Sequence, residues 1–186
     1  MNKKTIILAA ILAIMLSACN NSAKNGEMSK QQTTETNNYK PLININTMTI
    51  EELGIEYGKT AAEAFNFLYD KLGNSPTISD ELKQNVKAER EKTFATLIPM
   101  IKHFRTLSEE DKQTFRLNSG STMAQNIPDL LSHSEKLQTA LGNAAAVGDE
   151  NFMLDVVSLY MVQNFLEDGA FSGEGAPNLP KHVGLE

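Results

Sequence analysis

From residue 49 to residue 168 the large apolar side chains recur at intervals of three and four, and each run is bounded by residues that begin or end helices. The first run is Ile50, Leu53, Tyr57, Ala61, Ala64, Phe65, Leu68 and Leu72. Thr49 and Glu52 open it as a capping box, and Gly73 closes it. Ser79 caps a second run, in which Leu82, Val86, Phe94, Leu97, Ile98, Ile101 and Phe104 stay in phase across Pro99, so the spacing predicts one kinked helix. A third helix opens at Ser108 with acids in its first turn, turns Phe115 inward, and is expected to be short because Asn118-Ser119-Gly120-Ser121 breaks the pattern. Pro128 suits the first turn of a fourth, whose inner face reads Leu131, Leu137, Leu141 and Ala144 and which stops at Gly148. Asp149 caps the last, predicted from Glu150 to about Asp168; so few of its positions are polar that it should be the most buried.

The pattern predicts an all-α domain over residues 49–168, an antiparallel bundle of four to five helices behind a disordered N-terminal tether, with a loose tail at 169–186. Leu42 to Asn46 alternates apolar with amide residues and suggests a brief extended segment, and Phe171 and Leu179 are candidates to pack back from the tail. Two small-residue stripes stand out: Gly54, Gly58 and Ala62 on the first helix, and Ala140, Ala144 and Gly148 on the fourth. Each glycine inside a helix costs about 1 kcal/mol relative to alanine. A close crossing of these two helices is the expected compensation.

Upstream the pattern changes. Lys3 and Lys4 precede an apolar run from Ile6 to Leu16, about 11 residues against the roughly 20 a spanning helix needs. It ends in Leu16-Ser17-Ala18-Cys19, which contains the one cysteine of the chain. A charged start, a short apolar stretch and small residues before a processing point describe an exported leader. An ordinary secretory cut after Ala18 would put the bulky Leu16 where a small residue is wanted. The four residues resemble the lipobox of bacterial lipoproteins, and the resemblance covers about the first tenth of the chain. It implies lipidation of the Cys19 sulfur and cleavage between Ala18 and Cys19, leaving residues 1–18 as signal peptide. A thiolate is the nucleophile such lipidation requires, and two or more acyl chains give stable membrane attachment. In enterobacterial lipoproteins an aspartate straight after the cysteine retains the protein at the inner membrane; Asn20 in that place implies the outer membrane.

Residues 20–40 are polar and amide-rich, too poor in apolar surface to offset the entropy of ordering. With the modified cysteine they make a tether over 19–48, and about 20 residues of random coil reach about 25 Å from the lipid.

Charge then narrows the partners. The chain has 17 basic and 23 acidic residues. Loss of Lys3 and Lys4 with the leader takes the formal charge from −6 to −8. Such a chain is unsuited to nucleic acid, whose affinity comes largely from Lys and Arg on phosphate, and to a polybasic grip on lipid heads. The membrane is therefore expected to be met through lipid on Cys19, with a further protein partner in the envelope.

No Gly-x-Ser-x-Gly elbow, Ser-x-x-Lys pair, phosphate loop or Glu-x-x-His pair occurs. His103, His133 and His182 are scattered, and surface or capping roles suit them better than metal ligation. Glu52, Glu56 and Glu63 share a side of the first helix, where solubility and the helix dipole explain them. No catalytic residue, metal ligand or cofactor is assigned. The expected function is a lipid-anchored envelope protein whose helical domain is a non-catalytic interaction or binding module. An inhibitor or immunity protein with one acidic face, an envelope enzyme with a carboxylate or metal site, and a structural envelope component are the alternatives.

Overall fold

A computed structural model describes residues 44–167, 170–171 and 178–186. The expected leader, Cys19 and most of the expected tether lie outside them. The described residues form an all-α bundle with no strand among them. Its helices are α1 (Ile50–Leu72), α2 (Asp80–Thr106), α3 (Glu109–Asn126), α4 (Leu130–Val147), α5 (Glu150–Tyr160) and α6 (Leu179–His182). Single 3-10 segments, Ile45–Thr47 and Val162–Leu166, precede α1 and follow α5.

Helices α1, α2, α3 and α5 start where local chemistry places them. Thr49 accepts from the Glu52 amide while the Glu52 carboxylate accepts from the Thr49 amide, closing the capping box. Ser79, Ser108 and Asp149 accept from the amides of Leu82, Asp111 and Phe152. Each such cap is worth about 1 kcal/mol. Pro99 lies inside one continuous α2, and the apolar phase runs through it to the buried Met100, Ile101 and Phe104.

Helix α1 is the hub, packing against α2, α3, α4 and α5. Its closest neighbour is α3. An ideal Cβ on Gly54 would sit 2.7 Å from the Phe115 carbonyl oxygen; one on Gly58 would overlap the Ser119 carbonyl and lie 2.9 Å from Thr122 Cβ. The two glycines thus let the backbone of α3 lie in a groove of α1. Farther along, Asn66 Nδ2 donates to the Asn126 carbonyl at 2.9 Å, so α1 and α3 run the same way.

Helix α5 runs against α1, with the Tyr57 hydroxyl donating to Val162 at 2.8 Å and Phe65 stacked on Tyr160 at 6.0 Å. It runs along α2: Lys83 meets Asp149 at 2.9 Å, Arg90 meets Asp155 at 2.8 Å, and the rings of Phe94 and Phe165 are 4.8 Å apart. Consecutive helices α1, α2 and α3 therefore alternate in direction.

Several expectations need correction. The close crossing of the Gly54, Gly58 stripe is with α3 and not with the Ala140, Ala144, Gly148 stripe. Ala62, Ala140 and Ala144 are buried, but Gly148 is the exposed, left-handed C-cap of α4 at φ 78°. Asn118 to Ser121 do not break α3, because this is the stretch that lies against Gly54 and Gly58. Pro128 stands two residues before α4, which starts from a left-handed Asp129 at φ 47° with no side-chain cap, and Leu131 faces solvent at 80% exposure. Helix α5 is buried at seven of its 11 residues but ends at Tyr160, where the chain tightens to 3-10. Residues 45–47 are 3-10 rather than extended. In the region expected as a loose tail, residues 178–186 carry a turn of helix with Leu179, Val183 and Leu185 buried, and Phe171 is buried as well.

Candidate functional site

Where α2 ends and α3 begins, Phe104, Arg105, Glu109, Lys112, Arg116, Leu166 and Glu167 line a cleft of about 270 Å³. The two-residue turn Leu107–Ser108 between the helices sets its shape: Ser108 caps α3 and so directs Lys112 and Arg116, one turn apart, along the same wall. Phe104 is buried beneath, and the Arg116 guanidinium lies 5.0 Å over its ring. Across the cleft, Glu167 receives Arg116 in a fork, with Nε donating to Oε1 at 2.8 Å and an Nη to Oε2 at 3.2 Å. Lys112 Nζ donates to Glu109 at 2.8 Å. That hydrogen bond and the Lys112 charge, with a smaller effect of Arg116, hold the Glu109 carboxyl below its ordinary pKa.

The cations are the more sheltered partners. Lys112 and Arg116 are 20% and 39% exposed, whereas Glu109 and Glu167 are 82% and 56% exposed. Among the described residues the cleft's charged lining is Arg105, Glu109, Lys112, Arg116 and Glu167, with Lys112 paired to Glu109 and Arg116 to Glu167. Chemically it offers paired charged groups over an aromatic floor.

A second polar cluster ties the C-terminus down. Asp155, buried in the middle of α5, has Arg90 Nε at 2.8 Å and His182 Nε2 at 2.7 Å, both on Oδ1. Arg90 also donates to the His182 carbonyl at 3.4 Å and to Glu91 at 3.4 Å. A carboxylate only accepts, so His182 Nε2 carries the proton it shares. A third cluster stacks His133 on Tyr69 with ring centres 3.5 Å apart, and Lys136 donates to the Tyr69 hydroxyl at 3.1 Å.

The residues singled out from sequence fall as follows. Ala18 and Cys19 lie outside the described residues. Gly54, Gly58, Ala62, Ala140 and Ala144 are packing residues, and Gly148 is a cap. Glu52 belongs to the capping box and Glu56 pairs with Lys59 at 3.9 Å; Glu63 is exposed. Among the described residues no group of three or more His, Cys, Asp or Glu is placed to hold a metal. Elsewhere, Met100, Met153 and Met161 are core, and Met123 accepts from Gln163 Nε2 at 3.2 Å.

Sequence reasoning missed both the cleft and the Arg90, Asp155, His182 cluster. For the cluster there was a signal: a carboxylate among apolar residues of a buried helix needs a cationic partner. For the cleft there was none, since its residues come from three elements and each is ordinary where it stands.

No protein-family model, curated protein or solved structure matches this chain.

Proposed function

We propose that the protein is a lipoprotein of the cell envelope, anchored through lipid on Cys19, whose helical body serves as a non-catalytic binding module. The observation that carries the anchor is Leu16-Ser17-Ala18-Cys19 closing an apolar run that follows two lysines. Among the described residues no helix is long and apolar enough to cross a membrane, so the membrane contact in this account is the lipid. The outer membrane is the proposed location, on the strength of Asn20. The binding role draws support from the cleft, whose polar groups face outward beside a floor that packing holds in place.

An inhibitor with one concentrated acidic face is the weaker reading. Acids and lysines alternate on the helix surfaces as pairs three residues apart: Glu56 with Lys59, Asp80 with Lys83, Glu89 with Lys92, and Glu109 with Lys112. Such mixing spreads the charge.

The test of location compares the parent with Cys19→Ser in fractionated cells. The parent is expected in membranes, released by detergent and not by high salt, while Cys19→Ser is expected to stay unprocessed. A Cys19→Ser protein that is processed and held on membranes as firmly as the parent would refute the anchor. Affinity capture of the intact lipidated protein, with mass identification of what accompanies it, then names the partner.

A further inference from the structure

We propose that residues 178–186 are a strap seated in a peptide groove on α2 and α5, and that the groove accepts, in their place, a segment of another protein with the same chemistry. This rests on the reading of the helical body as a binding module and is independent of the anchor. The strap's backbone hydrogen bonds close on themselves: the amides of His182, Val183, Gly184 and Leu185 donate to carbonyls of residues 178–181, and the Asn178 side chain accepts from the Lys181 amide. Among the described residues, both hydrogen bonds between strap and body fall on His182. Its ring meets Asp155 of α5 at 2.7 Å, and its carbonyl accepts from Arg90 of α2 at 3.4 Å. Burial of Leu179, Val183 and Leu185 completes the attachment.

Lifting the strap strands no buried charge. Asp155 keeps Arg90 at 2.8 Å and Arg90 keeps Glu91 at 3.4 Å, so the groove holds its ion pair whether or not the strap is in place. Loss of a buried partner is severe when it leaves a charge uncompensated, and here it does not. Phe171 stays behind, its ring 4.7 Å from that of Phe165, and the six residues 172–177 span up to about 20 Å when extended, enough for the strap to leave the groove. What the groove selects follows from what sits in it. Leu179-Pro180-Lys181-His182-Val183-Gly184-Leu185 presents three apolar side chains, a proline in the first turn of helix, and an N–H donor on Asp155 Oδ1. The fitting partner segment is therefore apolar at the places of Leu179, Val183 and Leu185 and carries a donor at that of His182. An acid there would set two carboxylates together and be refused.

The full chain, purified from membranes in neutral detergent, is titrated against a fluorescent peptide copying residues 178–186, with anisotropy as the readout. In the parent the strap competes at an effective concentration of the order of millimolar. Leu179→Ser in the chain weakens the strap and leaves the groove intact, so this variant should bind the peptide at least tenfold more tightly than the parent, with helical circular dichroism unchanged. Were it to unfold, His182→Ala in the chain takes its place. Peptides carrying His182→Ala or His182→Glu should bind at least tenfold more weakly than the parent peptide, a comparison that leaves the fold of the chain untouched. Hydrogen exchange reads release in the parent itself: the amides of Val183 and Leu185 should exchange at least a hundredfold faster than that of Val157 in α5. Equal peptide binding by parent and weakened-strap variant, no binding by either, equal binding of the parent and His182→Glu peptides, or exchange of Val183 and Leu185 at the rate of Val157 overturns the inference. If the groove fails while the intact lipidated protein still captures a partner, the binding-module reading stands; capture of nothing is the failure of that reading.

Discussion

Gly58 shows how much one missing side chain decides. A methyl group there would overlap the Ser119 carbonyl and press on Thr122 Cβ at 2.9 Å, and both belong to the helix that α1 must carry. Gly58→Ala should therefore destabilise by about 1–3 kcal/mol through overpacking, despite the gain of about 1 kcal/mol in helix propensity. Gly120, inside α3 with open space around it, is the control: Gly120→Ala should stabilise by up to about 1 kcal/mol. Urea unfolding of both variants reads the difference in sign.

Tyr57 makes a residue-scale prediction of another kind. It is fully buried, its hydroxyl donates to Val162 at 2.8 Å, and burial pushes its pKa far above the ordinary value. An unfolded tyrosine ionises near pH 10 while this one keeps its proton. Above about pH 10 the unfolded chain thus binds fewer protons than the folded one, and stability falls with rising pH by about 1.4 kcal/mol per unit. Tyr57→Phe should cost about 1 kcal/mol at neutral pH and flatten that alkaline slope. An unchanged slope in urea titrations from pH 9 to 11 would contradict it.

At the scale of elements, the helix starts were readable because they are local: one side chain satisfies one amide three residues on, and Thr49, Ser79, Ser108 and Asp149 all do so. What escaped were the places where tertiary contact overrides local preference. Asn118-Ser119-Gly120-Ser121 reads as a break, yet α3 passes through it because the groove at Gly54 and Gly58 receives its backbone. Helix α5 ends eight residues before its expected limit, where the chain turns so that the Val162 carbonyl meets Tyr57. Asp149 joins the two levels, capping α5 and holding Lys83 of α2 at 2.9 Å. The hydrogen bond from Lys83, followed by that from the Phe152 amide, lowers its pKa. A lowered carboxylate pKa gives stability that is present above the unfolded value near 3.9 and is lost as pH falls through the folded value. Asp149→Ala should cost about 1 kcal/mol at pH 7, with the deficit shrinking below about pH 4. Urea unfolding at pH 7 and pH 3 checks both halves.

At the scale of the molecule, the all-α architecture was legible in the apolar phase of five runs, whereas the sites were not, because each is assembled from elements distant in sequence. Asp155, Arg90 and His182 illustrate this, joining α5, α2 and the C-terminal helix on one carboxylate oxygen. The sequence shows only an acid interrupting an apolar run; the fold supplies both partners. Removing that acid leaves a sheltered guanidinium with only its 3.4 Å contacts to Glu91 and the His182 carbonyl, so Asp155→Ala should cost about 3 kcal/mol. His182→Ala leaves Arg90 on Asp155 and should cost about 1–2 kcal/mol. Equal losses for the two in urea unfolding would show that Asp155 does not hold the cluster. Capture of the C-terminal residues by this cluster, with Leu179, Val183 and Leu185 buried, makes them part of the helical body.

The proposed anchoring of the helical body in the envelope rests on a single sulfur, that of Cys19. Mass spectrometry of the N-terminal peptide of the mature protein, isolated from membranes, therefore tests the central claim most directly. The account predicts a chain that begins at Cys19 and carries fatty acyl mass on that residue. A mature chain with an unmodified Cys19 thiol, or one that retains residues 1–18, would contradict it.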